Sequence, residues 1–342
     1  MRLPAELVHR LRPLLAGRAV CVTGGAGFIG GHLVDALVGL QARVSVIDDL
    51  SNSSAEHLLG LVELDPSAVR FVHASILETG ALDEAMAGAH TVFHLAAVGS
   101  VPLSIENPER SFAVNTSGTV RVLQAARRAG VKRVVYSASS SAYGDASGAT
   151  GQPSAKVESA APAPLSPYAA SKLSGEHALR AWCRCYGLEG VGLRYFNVFG
   201  PRQAADTPYA AVIASFARKL LTGQRPVIHG DGTQSRDFTP VACAVAANLL
   251  AASCARELHG QVVNIGTGQR TDLLTLARLM AAKCGRPDAA PEFRPPRAGD
   301  VRHSLADITA ARALLDYQPI GTLEEALTDT VSFYRQSLAG LP

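Results

Sequence analysis

The residues Arg18-Ala19-Val20-Cys21-Val22-Thr23-Gly24-Gly25-Ala26-Gly27-Phe28-Ile29-Gly30 decide the fold. A short apolar run enters a glycine cluster, and from Phe28 to Val38 the apolar residues take a helical rhythm. Gly25, Gly27 and Gly30 have the G-x-G-x-x-G spacing. Glycines there allow a tight turn and let the backbone approach a pyrophosphate at the positive end of a helix. The spacing alone is common. A strand before it and a helix after it make it informative. The next apolar run closes on Val46-Ile47-Asp48-Asp49. An acid about 20 residues beyond the glycines is placed to bind the adenosine ribose. It also repels a 2′-phosphate, so NAD is expected rather than NADP. Asp48 is preferred to Asp49 because it comes first at the strand end. The bland alternative, a glycine-rich turn with no ligand, does not explain the strand, helix and acid together.

Outward from this stretch the first half keeps alternating. Strands are expected at Arg18–Thr23, Arg43–Ile47, Val69–His73, Thr91–Leu95, Arg133–Ser137 and Gly190–Tyr195. Helices are expected at Phe28–Val38, Leu82–Ala87, Glu109–Ala129 and Tyr168–Tyr186. Such alternation predicts a Rossmann-type, doubly wound parallel sheet. Past Gly200, frequent prolines break the chain into shorter elements. A smaller mixed α/β lobe for substrate is expected there, with helices near 209–222, 241–255, 271–284 and 323–338. The division is 1–195, carrying an N-terminal extension at 1–16, and 196–342, interleaved with the first. The Gly-, Pro- and Ser-rich stretch Gly144–Pro167 reads as a loop near the site.

Composition excludes several classes. Of 342 residues, 32 are Lys or Arg and 29 are Asp or Glu, too even a balance for a nucleic-acid binder. No apolar run reaches the roughly 20 residues that span a bilayer, and residues 1–16 do not read as a signal peptide. The scattered cysteines suit a reducing, cytoplasmic setting. Cys183-x-Cys185 has no second pair at ligand spacing, so no metal site is expected.

Tyr168-Ala169-Ala170-Ser171-Lys172 puts a phenol and an ammonium four residues apart on one helix face. A tyrosine with its ordinary pKa near 10 is a poor base. A nearby ammonium favours the phenolate and so makes Tyr168 a general base. Alone, the pair equally suits a surface ion pair. Upstream, Tyr136-Ser137-Ala138-Ser139-Ser140-Ser141 carries a strand into a cluster of hydroxyls, where open parallel sheets bind ligands.

With these motifs the chain resembles the extended short-chain dehydrogenase/reductases, and among them the NAD-dependent UDP-hexose 4-epimerases. The likeness runs from Arg18 to about Tyr334. It implies a catalytic set of Ser139, Tyr168 and Lys172. It implies cofactor contacts at Gly24, Gly27, Phe28, Ile29, Gly30, Asp48, Asn52, Ser53, Asn115 and Tyr195, with Tyr168 and Lys172 also touching it. Where the family usually has an Asp-hydrophobic pair at adenine, this chain has Ser75-Ile76. Substrate contacts implied are Ser100, Ser139, Ser140, Asn197, Arg236, Arg297, Asp300 and Ser304, the arginines on the diphosphate and Asp300 on the uridine ribose.

Gly299–Asp307 resembles the subgroup acting on UDP-GlcNAc and UDP-GalNAc. In relatives restricted to plain hexoses a large aromatic stands at the position of Ser304. The resemblance also implies a homodimer through the helices at Glu109–Ala129 and Tyr168–Tyr186. Dehydratases and decarboxylases usually place a carboxylate where Ser140 and Ser141 stand. Glucuronate 4-epimerases are separated less sharply, by Asn197. Non-catalytic NAD-binding regulators of this fold typically lack the Tyr or the Lys.

Overall fold

The computed structural model describes residues 3–145, 154–205, 210–296 and 301–340. Its centre is a parallel sheet of β1 (Ala19–Thr23), β2 (Arg43–Asp48), β3 (Val69–His73), β4 (Thr91–His94), β5 (Arg133–Ser139), β6 (Glu189–Tyr195) and β7 (His259–Ile265). The strands lie in the order β7-β6-β5-β4-β1-β2-β3. Helices cover both faces, so the strands read as near-continuous apolar runs; Val22, Val92, Val134 and Val135 are fully buried. This is the doubly wound α/β fold that the alternation predicts. Strand order reverses between β1 and β4, and ligands bind at the carboxyl ends beside such a reversal.

The chain begins with α1 (Ala5–Leu15), and α2 (Phe28–Gly39), α3 (Glu56–Leu64) and α4 (Thr79–Met86) alternate with the first strands. Between β4 and β5 run α5 (Val101–Glu106), α6 (Pro108–Phe112), a π-helical turn at Ala113–Gly118, and α7 (Thr119–Arg128). The helix expected across Glu109–Ala129 is therefore interrupted. A wide turn of this kind re-aims a side chain, and here it turns Asn115 towards Val98 and Ser171. Next, α8 (Pro167–Tyr186) starts from a Ser166 cap and ends on Gly187 in the left-handed conformation. It can lie close to β5 because of Gly175, where an added Cβ would stand 2.2 Å from the Tyr136 hydroxyl.

Beyond β6 follow α9 (Val212–Leu221), α10 (Val241–Ser253), α11 (Leu273–Lys283), α12 (Thr309–Leu315) and α13 (Leu323–Ala339). Phe216, Leu220, Leu276, Met280 and Leu327, from α9, α11 and α13, build a core separate from that of the sheet. The alanine-rich α10 instead joins the core of the sheet, packing against α2 and α1. The sequence reading did not anticipate α1, α3 or β7. Leu11 and Leu15 of α1 are only 1% and 2% exposed, so this segment belongs to the sheet's core. Among the described residues no helix is long and apolar enough to cross a membrane, and no group of three His, Cys, Asp or Glu side chains could hold a metal ion.

Candidate active site

The glycine loop sits where β1 meets α2. Gly24 adopts φ +73°, and a Cβ there would lie 2.6 Å from Ala96 N. A Cβ on Gly30 would fall 2.0 Å from the Gly24 carbonyl oxygen, so α2 can approach the loop only with glycine there. The cap residue of α2, Gly27, brings no side-chain hydrogen bond. N–H groups in the first turn are thus left for an anion. Asp48 is 7% exposed, and its Oδ2 accepts from Ala26 N at 2.9 Å. Its Oδ1 accepts from Leu50 N at 2.9 Å and Ser53 Oγ at 3.2 Å. A buried carboxylate fixed against an open helix start fits a dinucleotide. Around it, Asn52 is exposed. Ser75 Oγ accepts from Leu77 N at 3.3 Å, and Ile76 is buried under Gly118.

Asn115 is 1% exposed and heavily engaged. Its Oδ1 accepts from Val98 N at 2.8 Å, and its Nδ2 donates to Val98 O at 3.2 Å and Ser171 Oγ at 3.0 Å. Both amide protons are thus used within the protein, tying the β4 exit to α8. Beneath it lies a directional chain. Ala96 N donates to Thr23 Oγ1 at 3.2 Å, Thr23 Oγ1 lies 2.8 Å from His94 Nδ1, and His94 Nε2 lies 2.9 Å from Thr119 Oγ1. Thr119 Oγ1 donates to Asn115 O at 2.6 Å. With that proton committed, Thr119 must accept from His94, which fixes a neutral ring protonated on Nε2.

Burial and then the Lys172 charge push His94 down to about 3. Burial and then Arg202 push His32 down to about 4. Both folded values lie below the ordinary histidine value of about 6.5, so on acidification the unfolded chain takes the protons first. Their stabilisation is complete above pH ~6.5 and drains away as pH falls through the folded values, at about 1.4 kcal/mol per pH unit per histidine. Urea unfolding at pH 7, 5 and 4 should show this slope, and His94→Gln should remove the His94 share and leave that of His32. A flat profile would contradict the assignment.

Tyr168 opens α8 and borders a cavity of about 400 Å³. Burial raises its phenol above the ordinary range, and the Ser139 hydroxyl opposes this. The expectation that Lys172 makes this phenol more acidic is therefore not met. Lys172 Nζ instead lies 4.6 Å from the centre of the Tyr136 ring. Burial pulls Lys172 down to about 7, with Glu176 pulling the other way. Glu176 is itself paired with Arg194, accepting from Nε at 2.9 Å and Nη2 at 2.6 Å. Ser139 Oγ accepts from Ser141 N at 3.2 Å and Ser141 Oγ at 2.8 Å. Its own proton goes to the Tyr168 oxygen, the hydrogen bond that opposes the effect of burial on that phenol.

The structure brings many of the predicted residues together. Phe28, Ile29, Ser139, Ser140, Tyr168 and Tyr195 line the 400 Å³ cavity, as does Ser304 from the far end of the chain. The Tyr195 hydroxyl lies 2.7 Å from Asn248 Nδ2 and 3.2 Å from Ser137 Oγ; burial pushes it up to about 12. Asn197 and Arg236 line both this cavity and a neighbouring cleft of about 950 Å³ under α9. Ser100 borders the cleft, but its hydroxyl caps α5, accepting from Leu103 N at 3.3 Å. Arg297 and Asp300 lie outside the described residues.

Sequence reasoning missed Lys156 and His303 in the smaller cavity, and Arg218, Lys219 and Arg294 in the cleft. Sequence reasoning also assigned no role to Asp237. It is fully buried and accepts from Thr267 N and Gly268 N, both at 2.9 Å, and from Ala306 N at 3.3 Å. It thereby anchors the segment that carries Ser304.

This arrangement places a basic cleft and a hydroxyl-lined cavity beside a glycine loop, and the chain's likeness to known proteins agrees with it. A UDP-glucose 4-epimerase of Mycolicibacterium smegmatis is 40% identical over 319 residues, 92% of this chain and 97% of that protein. A solved UDP-N-acetylglucosamine 4-epimerase from Methanobrevibacter ruminantium, in complex with UDP-N-acetylmuramic acid, superposes with a TM-score of 0.86 at 36% identity, covering 94% of this chain and all of that one. A Thermotoga maritima UDP-glucose 4-epimerase with UDP-glucose gives 0.85 at 37% identity, covering 94% and 99%. The NAD dependent epimerase/dehydratase family model matches residues 20–266, and with the sheet, the glycine loop and the Tyr168/Lys172 pair in place, the chain belongs to that family.

Proposed function

We propose that the protein interconverts UDP-GlcNAc and UDP-GalNAc by transient oxidation at C4. The observation that carries this reading is the 400 Å³ cavity in which Ser139 and Tyr168 share walls with a residue as small as Ser304. Identity to relatives does not favour this sugar: UDP-glucose 4-epimerases match at 40% and 37% and a UDP-N-acetylglucosamine 4-epimerase at 36%. What supports the acetylated sugar is the small side chain of Ser304 in the cavity wall, which leaves room for an acetamido group.

NAD supplies a hydride acceptor that is regenerated within each turnover. Tyr168 takes the proton of the sugar 4-OH, and Lys172, its ammonium over the Tyr136 ring, holds the nicotinamide ribose. Ser139, which hydrogen-bonds Tyr168, turns that contact towards the sugar oxygen when substrate is present, with Ser140 beside it. Backbone at Gly24, Gly27, Phe28, Ile29 and Gly30 holds the pyrophosphate. Asp48 holds the adenosine ribose, with Asn52, Ser53, Ser75 and Ile76 around that end. Asn115 and Tyr195 frame the nicotinamide end. Arg236 and Asn197 grip the sugar-nucleotide diphosphate, with Arg297 a second phosphate contact and Asp300 on the uridine ribose. Turning the keto sugar about the diphosphate presents its other face.

In the helical stretches expected to form a homodimer, Glu109–Ala129 and Tyr168–Tyr186, Phe112 and Tyr186 are exposed at 40% and 48%, and a second copy would cover them. The test of the function is a panel of UDP-GlcNAc, UDP-glucose and UDP-glucuronate with products separated by chromatography, on protein whose mass has been fixed by sedimentation. UDP-GalNAc should form fastest. Bound NAD without turnover of any sugar would reject the reading in favour of a binding module.

A further inference from the structure

We propose that Glu176 and Arg194 are positioning residues that act through Lys172: the buried carboxylate of Glu176 supports the charge on that ammonium, and Arg194, by binding the same carboxylate, limits the support. The inference deepens the UDP-sugar reading and rests on its use of Lys172.

Lys172 and Glu176 stand four residues apart on α8, so their side chains share one face of the helix. They are 3% and 5% exposed. Charges this far from water act on each other more strongly than a surface pair does. Arg194 reaches the same carboxylate from β6, where it stands opposite Ala138 of β5, and it is itself 3% exposed. Its Nε donates to Glu176 Oε1 at 2.9 Å and its Nη2 to Glu176 Oε2 at 2.6 Å. Both carboxylate oxygens are thus held by one guanidinium, the two-pronged pairing that arginine makes best. The guanidinium also lies 4.6 Å from the centre of the Tyr143 ring. What Lys172 meets one turn along its helix is a carboxylate whose charge is partly cancelled.

The other titratable neighbours of Lys172 carry no charge near neutrality. They are Tyr136 on β5, whose ring lies under the ammonium, His94 on β4, and Tyr168 one turn back on α8. Burial raises both phenols and takes His94 down to about 3. Of the helices packed on α8, α5, α6 and α7 carry Glu106, Glu109, Arg110, Arg121, Arg127 and Arg128, and all of these are exposed. His177, Arg180 and Arg184 of α8 itself are exposed too, as is His259 at the start of β7. Arg133 and Glu189, at the opposite ends of β5 and β6, bind each other. Among the described residues Glu176 is therefore the charged group that opposes burial at Lys172, which burial brings down to about 7. At that value a modest change in support decides whether the ammonium survives above neutrality, and with it the grip on the nicotinamide ribose. The pair so sets the alkaline limit of turnover.

The test is a pH titration, by NMR, of the side-chain carbons of isotope-labelled lysine in the NAD-loaded protein. Lys132, Lys156, Lys219 and Lys283 are the other lysines, so the spectrum is sparse, and Lys172→Met assigns the signal. Wild type is compared with Glu176→Gln, Arg194→Gln and the double variant, with NAD content and melting checked in each. Glu176→Gln should move the Lys172 midpoint down by about one pH unit, and Arg194→Gln should move it up by about as much. The double variant keeps hydrogen-bonding groups in both places without either charge, and its midpoint should fall between those of the single variants. If one single variant does not fold, the other against the double variant still gives the sign. The alkaline limb of UDP-GlcNAc turnover should shift with each midpoint. Midpoints that stay where they are, or single variants that shift in the same direction, would overturn the proposal, because a loss of packing has no such sign. Opposite shifts in a protein that turns over no sugar would leave this inference standing and reject the epimerase reading.

Discussion

Tyr168→Phe is expected to lower kcat for UDP-GlcNAc inversion about a thousandfold while the protein keeps its fold and its NAD. The ring remains, so packing at the start of α8 is preserved, and only the atom that carries the proton is lost. A positioned acid/base group contributes about 10²–10⁴-fold. A value inside that range is expected because burial already holds this phenol above its ordinary pKa and Ser139 only partly offsets it. The interaction operates only while the proton moves, so kcat and kcat/KM should fall together. Steady-state rates at several UDP-GlcNAc concentrations give both numbers. A variant that inverts the sugar at the wild-type rate would remove Tyr168 from the chemistry.

The second large effect is one of shape. In Ser304→Tyr, turnover of UDP-GlcNAc should drop at least a hundredfold relative to UDP-glucose, because the wall carrying Ser304 cannot retreat. Ser304 N donates to Ser235 O at 3.0 Å, and one residue on, Leu305 O is held by Lys156 N at 2.8 Å. Buried Asp237 then anchors Ala306 N. With the backbone pinned on both sides, a tyrosine ring must enter the 400 Å³ cavity and take the space of the acetamido group. Subtracting one methylene from a substrate commonly changes discrimination by about 10–200-fold, and a whole ring should do more. Competition between the two UDP-sugars in one reaction reads the ratio directly. An unchanged ratio would refute the steric basis for the preferred sugar.

What could be read from the sequence follows from what is local. The glycine loop, Asp48 and the Tyr168/Lys172 pair are each encoded within a few residues of one another, and strand and helix periods locate them. Their surroundings are not local. The acidity expected for Tyr168 from its lysine neighbour ignored two long-range facts: the burial of both groups, and the Tyr136 ring from β5 that takes up the ammonium. Asn115 looked like part of a continuous helix because composition does not reveal a π-helical turn. Lys156 lies in a loop without periodicity, and its position becomes meaningful only when residues 302–307 are laid beside it. β7 was hidden for the same reason. His259–Ile265 is a short mixed run in a region otherwise assigned to the second lobe, and only its pairing with β6 makes it a sheet strand.

That pairing has a consequence for how the polypeptide must be made. The edge of the central sheet is completed by a segment that leaves the ribosome only after α9 and α10 have been synthesised. Until Ile265 emerges, β6 is a bare border of unpaired backbone groups, the kind of surface on which nascent chains stick to one another. A fragment cut after residue 195 would keep that border permanently. The first 195 residues are therefore not a module that can be borrowed on its own, and their maturation waits on translation of the chain up to Ile265.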